Sequence, residues 1–436
     1  MILPIIVVGL LLAVEPSEAP RDLSIRVSQL TRDIMPSVIE WRRDFHAHPE
    51  LSNREERTAA KVAGYLRTMG VDQIKTGVAH HGVVALIRGR QEGPTVALRA
   101  DMDALPIVEQ TGLPFASQNP GVMHACGHDT HTAMLLGVAS VLTHVRDQIP
   151  GSVKLIFQPA EEGAPAGETG GASLMVQENV LADPEVAAIF ALHVNPELTT
   201  GTLGYRPGAA MAASDYFQVT VTGKQSHAAM PWQGVDPIVT AAAIITAIQT
   251  IHSRGIDARK PVVVSVGTVQ GGTAWNIIPN HVSLQGTIRT YDADVRAKVL
   301  EQFRRIVEHT ALAHGATAQI SFRSYGPAVW NDLPLGERMK PTLLRTAGQK
   351  NLIEVEPMMG SEDFAFFAQK RPGLYFFLGV QNKEAHATGA LHTPTMVIDE
   401  GALPLGVRTL ATLAIDFLQG EAARGKEADG RKKDKK

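Results

Sequence analysis

The 436-residue chain has little of several features that mark common protein classes. Its single cysteine, Cys126, excludes an intramolecular disulfide. Its net charge of −3 provides no basic field for phosphates, so we expect no nucleic-acid partner. Gly223-Lys224 lacks the upstream glycine of a phosphate loop, and the sequence has neither a dinucleotide-binding fingerprint nor a G-x-S-x-G nucleophile elbow. We therefore expect a small-molecule substrate.

The chain also shows no stable membrane span at its apolar N-terminus. Ile2–Val14 is almost continuously apolar but shorter than the roughly 20 residues that cross a bilayer. Ser17-x-Ala19 offers a small-residue cleavage site, so residues 1–19 resemble a secretory signal peptide. An uncleaved anchor and a misassigned start codon are the alternatives. With cleavage we expect a secreted or periplasmic protein, and otherwise a cytoplasmic one.

Dense apolar runs predict the first structural unit. Non-alternating runs of this kind are typical of strands that are covered on both faces. They are Val83–Ile87, Thr95–Leu98, Val153–Phe157 and Val186–Leu192, with a predicted helix at Thr130–Val145 between the second and third. Asn53 is predicted to cap a further helix that ends at Met69, before Gly70. This order predicts an α/β fold with a mostly parallel sheet.

A second unit follows, with the order strand, helix, strand, strand, helix, strand. Its predicted elements are Tyr216–Thr222, Asp236–His252, Val262–Val269, His281–Thr290, Asp292–His314 and Thr317–Arg323. This is the order of a ferredoxin-like α+β domain. We therefore predict a first domain at 20–211 and 325–420, an inserted domain at 212–324, and a charged, disordered tail at 421–436.

Polar residues follow the predicted strands of the first unit. Asp101 and Asp103 follow the second strand, Glu161 and Glu162 the third, and His193 the fourth. Ligands of open α/β sheets bind at the carboxyl ends of the strands, so these side chains are expected to converge there.

Metal-binding residue types recur at this predicted edge. Cys126 alone is equally compatible with a small buried core residue. The full candidate set is Cys126, His128, Glu162, His193 and His392. Five donors are too many for one tetrahedral site, whereas thiolate, imidazole and carboxylate together suit two adjacent divalent ions. Such ions lower the pKa of bound water from about 15.7 toward about 7, which indicates hydrolysis.

The adjacent glutamates at 161 and 162 suggest a division of labour, because neighbouring side chains point in different directions. One would bind metal, and the other would transfer protons to the leaving amine. A solvated acidic turn is the alternative. Histidines such as His46, His124 and His131 are interpreted as surface or hydrogen-bonded core residues.

Nine motifs together resemble one enzyme superfamily. They are Arg42–Glu50, Arg99–Pro106, Met123–Asp129, Pro159–Gly163, Leu192-His193, Ser226–Pro231, Asn276–Pro279, Gly360–Phe364 and Leu391–Pro394. They resemble the metal-dependent amidohydrolases of the aminoacylase and carboxypeptidase superfamily. The branch is that of hippurate hydrolases, N-acyl-amino-acid amidohydrolases and plant indole-acetyl-amino-acid hydrolases.

The resemblance implies a catalytic domain with two Mn²⁺ or Zn²⁺ ions and an inserted lid domain that dimerises. It implies that the five candidate donors are the metal ligands. Glu161 would be the general acid/base and Asp103 an orienting carboxylate, while Asp101 is left unassigned. The segment 164–171 is longer than usual and is expected to alter the pocket rim.

The resemblance also implies substrate contacts in the lid. Three residues match family positions that reach an active site: His227, Asn276 and Arg289. The position that His227 matches reaches the active site of the partner subunit. Arg289 would bind the substrate's α-carboxylate. The expected reaction is hydrolysis of N-acyl amino acids. A dipeptidase or carboxypeptidase, and a non-catalytic conjugate-binding protein, are the alternatives.

Overall fold

The computed structural model describes residues 19–433, with side chains for residues 23–425. The helices of this part are α1 (Ala19–Ala47), α2 (Glu56–Thr68), α3 (His128–His144), α4 (Gly171–Gln177), α5 (Pro237–Ile248), α6 (Ala293–Ala313), α7 (Leu333–Ala347), α8 (Ala365–Ala368) and α9 (Leu403–Lys433). The strands are β1 (Gln73–Val78), β2 (Gly82–Arg88), β3 (Gln91–Asp101), β4 (Pro150–Gln158), β5 (Val186–Thr199), β6 (Leu203–Tyr205), β7 (Gly208–Met211), β8 (Ala213–Thr222), β9 (Ser226–His227), β10 (Val262–Gly271), β11 (Ile277–Ile278), β12 (His281–Thr290), β13 (Thr317–Gly326), β14 (Val329–Asn331), β15 (Leu352–Glu354) and β16 (Gly373–Gln381). The predicted signal segment at 1–19 lies outside the described residues except for Ala19, where α1 begins.

Eight strands form the central sheet, in the order β1-β2-β4-β3-β5-β16-β6-β15. The four central strands β4, β3, β5 and β16 are parallel, whereas β1 and β2 are antiparallel at one edge. All four dense apolar runs are strands of this sheet. The structure therefore confirms the α/β fold with a mostly parallel sheet.

Helices cover both faces of this sheet, which explains why its strands are apolar without alternation. Val96 and Leu98 of β3 pack into a cluster with residues of α1, α3 and α9. Ala97, which lies between them, packs into a second cluster with residues of α4 and α8. The sheet is therefore the middle layer of three, and its polar groups concentrate at the strand ends.

Helix α2 starts later than the sequence predicted. Asn53 has a left-handed backbone (φ 59°) and does not cap the helix, which begins at Glu56. The carboxylate of Glu50 instead accepts the backbone N–H groups of Arg57 (3.0 Å) and Thr58 (2.8 Å). Because Glu50 lies six residues before the helix begins, the sequence next to α2 does not show that it is the capping residue. Gly70, at φ 69°, follows the end of the helix as predicted.

Strand β5 runs to Thr199, seven residues beyond its predicted end at Leu192. Its pairing with β16 continues through His193 and Asn195, and this pairing carries the strand onward. His193 therefore lies within a strand, and not after one as predicted.

The inserted unit is a four-stranded antiparallel sheet in the order β10-β12-β8-β13. Phe217, Val219 and Val221 of β8 are buried in one cluster with residues of α5 and α6. This confirms the ferredoxin-like α+β fold of the inserted unit, whose elements lie between Ala213 and Gly326. Helix α5 ends at Ile248 and not at His252, because a short π-helical turn, Ile251–Gly255, follows it.

The chain is helical where a disordered tail was predicted from Glu421. Helix α9 continues to Lys433, and Glu421 forms ion pairs with Arg338 and Arg424. These ion pairs and the helix-favouring Ala422 and Ala423 support the extension. Residues 400–425 are long and apolar enough to cross a membrane, but 78% of the most apolar stretch is buried inside the protein. A core helix accounts for this stretch.

Candidate metal centre

The five candidate ligands converge at the carboxyl edge of the central sheet. Cys126 and His128 flank the turn into α3, where Gly127 has φ 86°. A side chain at Gly127 would place its Cβ 2.5 Å from Val194, so the turn requires glycine. His392 comes from the loop after β16, and its backbone N–H donates to the carbonyl of Ala125 (2.8 Å). Residues distant in sequence thus meet in one cavity.

Two groups of donors share the Cys126 thiol. Cys126, His128 and His193 offer ligand atoms that lie within 4.8 Å of one another, and Cys126, Glu162 and His392 do the same. The Sγ atom lies 3.3 Å from Nε2 of His193 and 3.3 Å from Nε2 of His392. Glu162 Oε1 lies 3.3 Å from Nε2 of His392. The thiol therefore stands between two clusters of potential ligands.

Hydrogen bonds fix the orientation of the imidazoles. His193 Nδ1 is 2.7 Å from the carbonyl oxygen of Val194, and His128 Nδ1 is 2.9 Å from that of Asp103. If each Nδ1 donates, Nε2 is left unprotonated and directed toward the cluster. The Asp103 carboxylate also accepts from Ser52 Oγ (2.7 Å) and from the backbone N–H of Glu162 (3.0 Å). Asp103 thus connects two of the candidate ligands.

The donor set fits a divalent metal ion. His128 Nε2 is buried without a hydrogen-bond partner in the described part of the chain. Burial and the carboxylates of Glu162 and Glu161 raise the pKa of the Cys126 thiol well above its usual value. Although burial opposes it, the carboxylates of Asp101 and Asp103 raise the pKa of His128 to about 10. A bound cation would offset the negative charge of these carboxylates.

Glu161 faces a different set of neighbours from Glu162. Oxygens of Glu161, Glu362 and Asp363 lie within 4.8 Å of one another. Burial and the carboxylates of Glu362 and Glu162 raise the pKa of Glu161 well above its usual range. Its Oε2 is also 3.9 Å from Nε2 of His128. Glu161 thus lies beside the candidate ligands in surroundings that favour its protonated form.

Asp101, which the sequence left unassigned, belongs to a buried network behind the candidate ligands. Its carboxylate accepts from Arg99 Nη1 (2.7 Å) and lies 2.6 Å from Nδ1 of His131. Nε2 of His131 accepts the backbone N–H of Val194 (3.0 Å). Both nitrogens of His131 are therefore engaged, which agrees with its interpretation as a hydrogen-bonded core residue. The network holds the backbone next to His193.

Sequence reasoning missed the centre of this network. The buried Arg99 guanidinium donates to Gln158 (2.8 Å), Glu362 (2.9 Å) and Asp363 (3.1 Å) as well as to Asp101. Arg99 and the Gly360–Phe364 segment belong to motifs that carried the family resemblance, but nothing in the sequence indicated that they pair. Arg99 therefore links Asp101, at the end of β3, to Glu362, which lies beside Glu161.

Of the three predicted substrate contacts, Arg289 lines the cavity that four of the five candidate ligands also line, which has a volume of about 890 Å³. These four are Cys126, Glu162, His193 and His392. Its Nη1 donates to Ser361 Oγ (3.1 Å) and its Nε to Thr287 Oγ1 (3.0 Å). His227 and Asn276 are exposed and do not line this cavity. They lie near each other on the short β9 and β11 pair, where Ala228 N–H donates to the Asn276 carbonyl (3.0 Å).

The long segment after the glutamates forms part of the rim, as expected. Gly163, Ala164 and residues 168–170 line the cavity. Glu168 is anchored by Arg54 (2.6 Å) and by the amide nitrogen of Asn53 (3.0 Å). This rim is therefore tied to the start of α2.

Comparisons with known proteins agree with this architecture. The family model described as peptidase family M20/M25/M40 matches residues 97–416. N-acetylcysteine deacetylase of Bacillus subtilis is 40% identical over 382 residues, which are 88% of this chain and 97% of the relative. Thermostable carboxypeptidase 1 of Saccharolobus solfataricus is 42% identical over 399 residues, which are 91% of this chain and 99% of the relative. The crystal structure of Bacillus subtilis YXEP protein, described as a dinuclear metal-binding peptidase, superposes with a TM-score of 0.77 at 37% identity, covering 89% of this chain and 99% of that one.

Proposed function

The chain belongs to peptidase family M20/M25/M40, and we propose that it hydrolyses the amide bond of N-acyl amino acids at a centre of two divalent ions, Mn²⁺ or Zn²⁺. It is a metal-dependent hydrolase of C–N amide bonds. One observation carries the proposal. The cavity that contains the Cys126-centred donors also contains Arg289, an arginine that forms no ion pair with the described residues.

The donor geometry supports two ions. Cys126, His128 and His193 would hold one, and Cys126, Glu162 and His392 the other, with the thiolate shared. When bound, the ions lower the pKa of water and polarise the scissile carbonyl. The nearby carboxylates balance their charge.

The protein's own residues supply orientation and proton transfer. Arg289 binds the free α-carboxylate of the amino acid, with donors that Ser361 and Thr287 do not use. With cations bound beside it, Glu161 would be ionised, and its carboxylate accepts a proton from the attacking water and delivers it to the leaving nitrogen. Asp103 orients His128 and the backbone of Glu162. The inserted unit, which carries Arg289, lines one part of the cavity, and its closure over the substrate would limit the access of water.

A carboxypeptidase or dipeptidase is the second candidate, because the C-terminal carboxylate of a peptide offers Arg289 the same group as an N-acyl amino acid does. The acyl side separates an N-acyl amino acid from a dipeptide, since a dipeptide presents a charged amine where an N-acyl group is neutral. The carboxylates of Glu161, Glu162 and Glu168 line the cavity, and a charged amine would be attracted to them. A binding protein has no need of a proton-transfer carboxylate such as Glu161.

A substrate panel with metal analysis tests the proposal. Purified protein is assayed for bound metal, then for hydrolysis of N-acetyl, N-benzoyl and N-aminoacyl amino acids, with chelator-treated protein as the control. We expect metal-dependent release of free amino acid from the N-acyl compounds. Faster turnover of the N-aminoacyl compounds would favour the dipeptidase, and no metal-dependent turnover of any compound would contradict the enzyme proposal.

We also propose a homodimer formed through the lid. Exposed apolar side chains lie near His227 along the chain and on or beside the paired strand β11: Met230, Trp232, Trp275 and Ile277, with Trp275 95% exposed. Surfaces of this kind are typical of interaction sites. Such a dimer would bring His227 and Asn276 toward the partner's cavity. Sedimentation of Trp232→Ser and Trp275→Ser variants tests it, and unchanged assembly in both would contradict this surface.

We propose export from the cytoplasm for a chain whose apolar N-terminal segment is cleaved. The N-terminal sequence of the mature protein from its native host tests this. A mature chain that retains Ile2–Val14 would contradict cleavage.

A further inference from the structure

Glu55 is a fully buried glutamate for which the proposed metal chemistry has no use. It directly precedes α2, and its side chain lines neither the cavity nor any candidate ligand group. Its Oε1 accepts the backbone N–H groups of Asn53 (3.1 Å) and Ala160 (2.8 Å). Its Oε2 has no hydrogen-bond partner in the described part of the chain. A buried carboxyl group in these surroundings needs a structural reason.

The bond to Ala160 holds a backbone conformation that alanine rarely adopts. Ala160 has φ 54°, in the left-handed region, and is buried immediately before Glu161 and Glu162. Such a conformation persists only where the surrounding structure enforces it. The Glu55 carboxyl group therefore acts on the turn that sets the direction of the glutamate pair.

The two glutamates of this turn are supported differently. The backbone N–H of Glu162 donates to the Asp103 carboxylate (3.0 Å), which Ser52 holds in turn (2.7 Å). No comparable bond to the Glu161 backbone N–H is found among the described residues. The place of Glu161 therefore depends on Ala160, whereas Glu162 has a second anchor.

We propose that Glu55 is a positioning residue that holds Glu161, through the backbone of Ala160, in the place where it transfers protons. This inference rests on the proposed amidohydrolase function. Glu55 itself does not touch the substrate or the ligands. Its loss should affect proton transfer more than metal binding.

Two substitutions at Glu55 separate this role from general stability. Glutamine keeps an oxygen that can accept both N–H groups, whereas alanine removes it. Burial, with a contribution from the Asp103 carboxylate, raises the pKa of Glu55 to about 8, so glutamine also resembles the neutral form at pH 7. We expect Glu55→Ala to lower kcat about 10- to 100-fold, as a displacement of the Glu161 carboxylate by about 1 Å would. KM and metal content should stay within about twofold of the wild-type values. Glu55→Gln should restore kcat to within about threefold.

Glu50→Ala is the matched control, because Glu50 also bonds backbone N–H groups at the start of α2 but does not contact the glutamate turn. We expect it to lower the melting temperature without lowering kcat. Should Glu55→Ala not fold, Glu55→Asp takes its place, because the shorter side chain keeps a carboxyl group but draws it back from the N–H of Ala160.

All kinetic tests use a substrate on which the wild type shows metal-dependent turnover. Absence of any such substrate would contradict the proposed function, whereas the following results would overturn only the role of Glu55. They are an unchanged kcat in Glu55→Ala, or in Glu55→Asp where it takes the place of the alanine variant, or a parallel loss of metal and activity. A kcat loss with retained metal, reversed by glutamine, would support it.

Discussion

Removal of the Arg289 guanidinium should abolish the enzyme's preference for substrates with a free α-carboxylate. The guanidinium has five N–H donors, and Thr287 and Ser361 use two of them, so three remain for an anion in the cavity. Burial lowers the pKa of Arg289, which the nearby Asp215 opposes only in part, because Asp215 is paired with Arg296. A substrate carboxylate would therefore compensate a half-buried charge.

The expected loss of kcat/KM follows from the number of hydrogen bonds that Arg289 can make to a carboxylate. A bidentate carboxylate pair makes two charge-assisted hydrogen bonds, each with a net contribution of about 1.5–3 kcal/mol. We take about 3 kcal/mol for the pair at this half-buried site. At about 1.4 kcal/mol per factor of ten, kcat/KM should fall roughly 100-fold in Arg289→Ala.

The assay compares each acyl amino acid with its α-carboxamide in the wild type and in Arg289→Ala. The wild type should prefer the acid about 100-fold, and the variant should discriminate less than about fivefold, since the anchor is absent. Arg323→Ala is the control, because Arg323 also lines the cavity but is exposed and stacks on Tyr325. Equal discrimination by wild type and Arg289→Ala would refute the anchor, and loss of discrimination in Arg323→Ala alone would assign it to Arg323.

Three further predictions concern the metal centre and the buried charges. Cys126→Ala should lose metal as well as activity, because the thiol is common to both donor groups; elemental analysis that finds full metal occupancy would contradict this. Glu161→Gln should keep its metal and lose about 10²–10⁴ in kcat, the range for general acid/base catalysis, whereas Glu162→Gln should lose metal; equal metal loss in both would reverse the assignment. Although burial opposes it, the carboxylates of Asp129 and Glu109 raise the pKa of His46, so the folded state binds this proton more tightly than the unfolded state. The resulting stability is complete below about pH 6.5 and is lost as the pH rises through the raised pKa; His46→Gln should flatten this part of the urea-denaturation profile, and an unchanged profile would argue against it.

The predicted strands at 83–87, 95–98, 153–157 and 186–192 all occur in the central sheet, since strands covered on both faces must be apolar throughout. The strand and helix order of the lid was predictable for a similar reason, because its alternating strands and amphipathic helices bury one face each. Boundaries set by long-range contacts were missed. Helix α2 is capped by Glu50, and β5 is extended by its pairing with β16.

The candidate ligands were identifiable because few residue types bind divalent metal ions, and because Cys126, His128, Glu162, His193 and His392 all lie in motifs of the family. The residues that support them were not identifiable. The local sequence does not show whether a charged residue such as Arg99, Glu362 or His131 is exposed or belongs to a buried network. Only the packing of β3 against the Gly360–Phe364 segment brings these charges together.

The sequence by itself therefore determined the fold class, the family motifs and the set of metal-binding residue types, because each depends on local periodicity or on residue chemistry. Only the tertiary structure decided that Cys126 stands between two donor groups, and that Arg289 shares their cavity while His227 and Asn276 do not. It also decided that Glu55 holds the backbone before Glu161. These relations join residues up to 266 positions apart, as Cys126 and His392 are. Distances of this kind are set by the packing of the layers, and no local pattern encodes them.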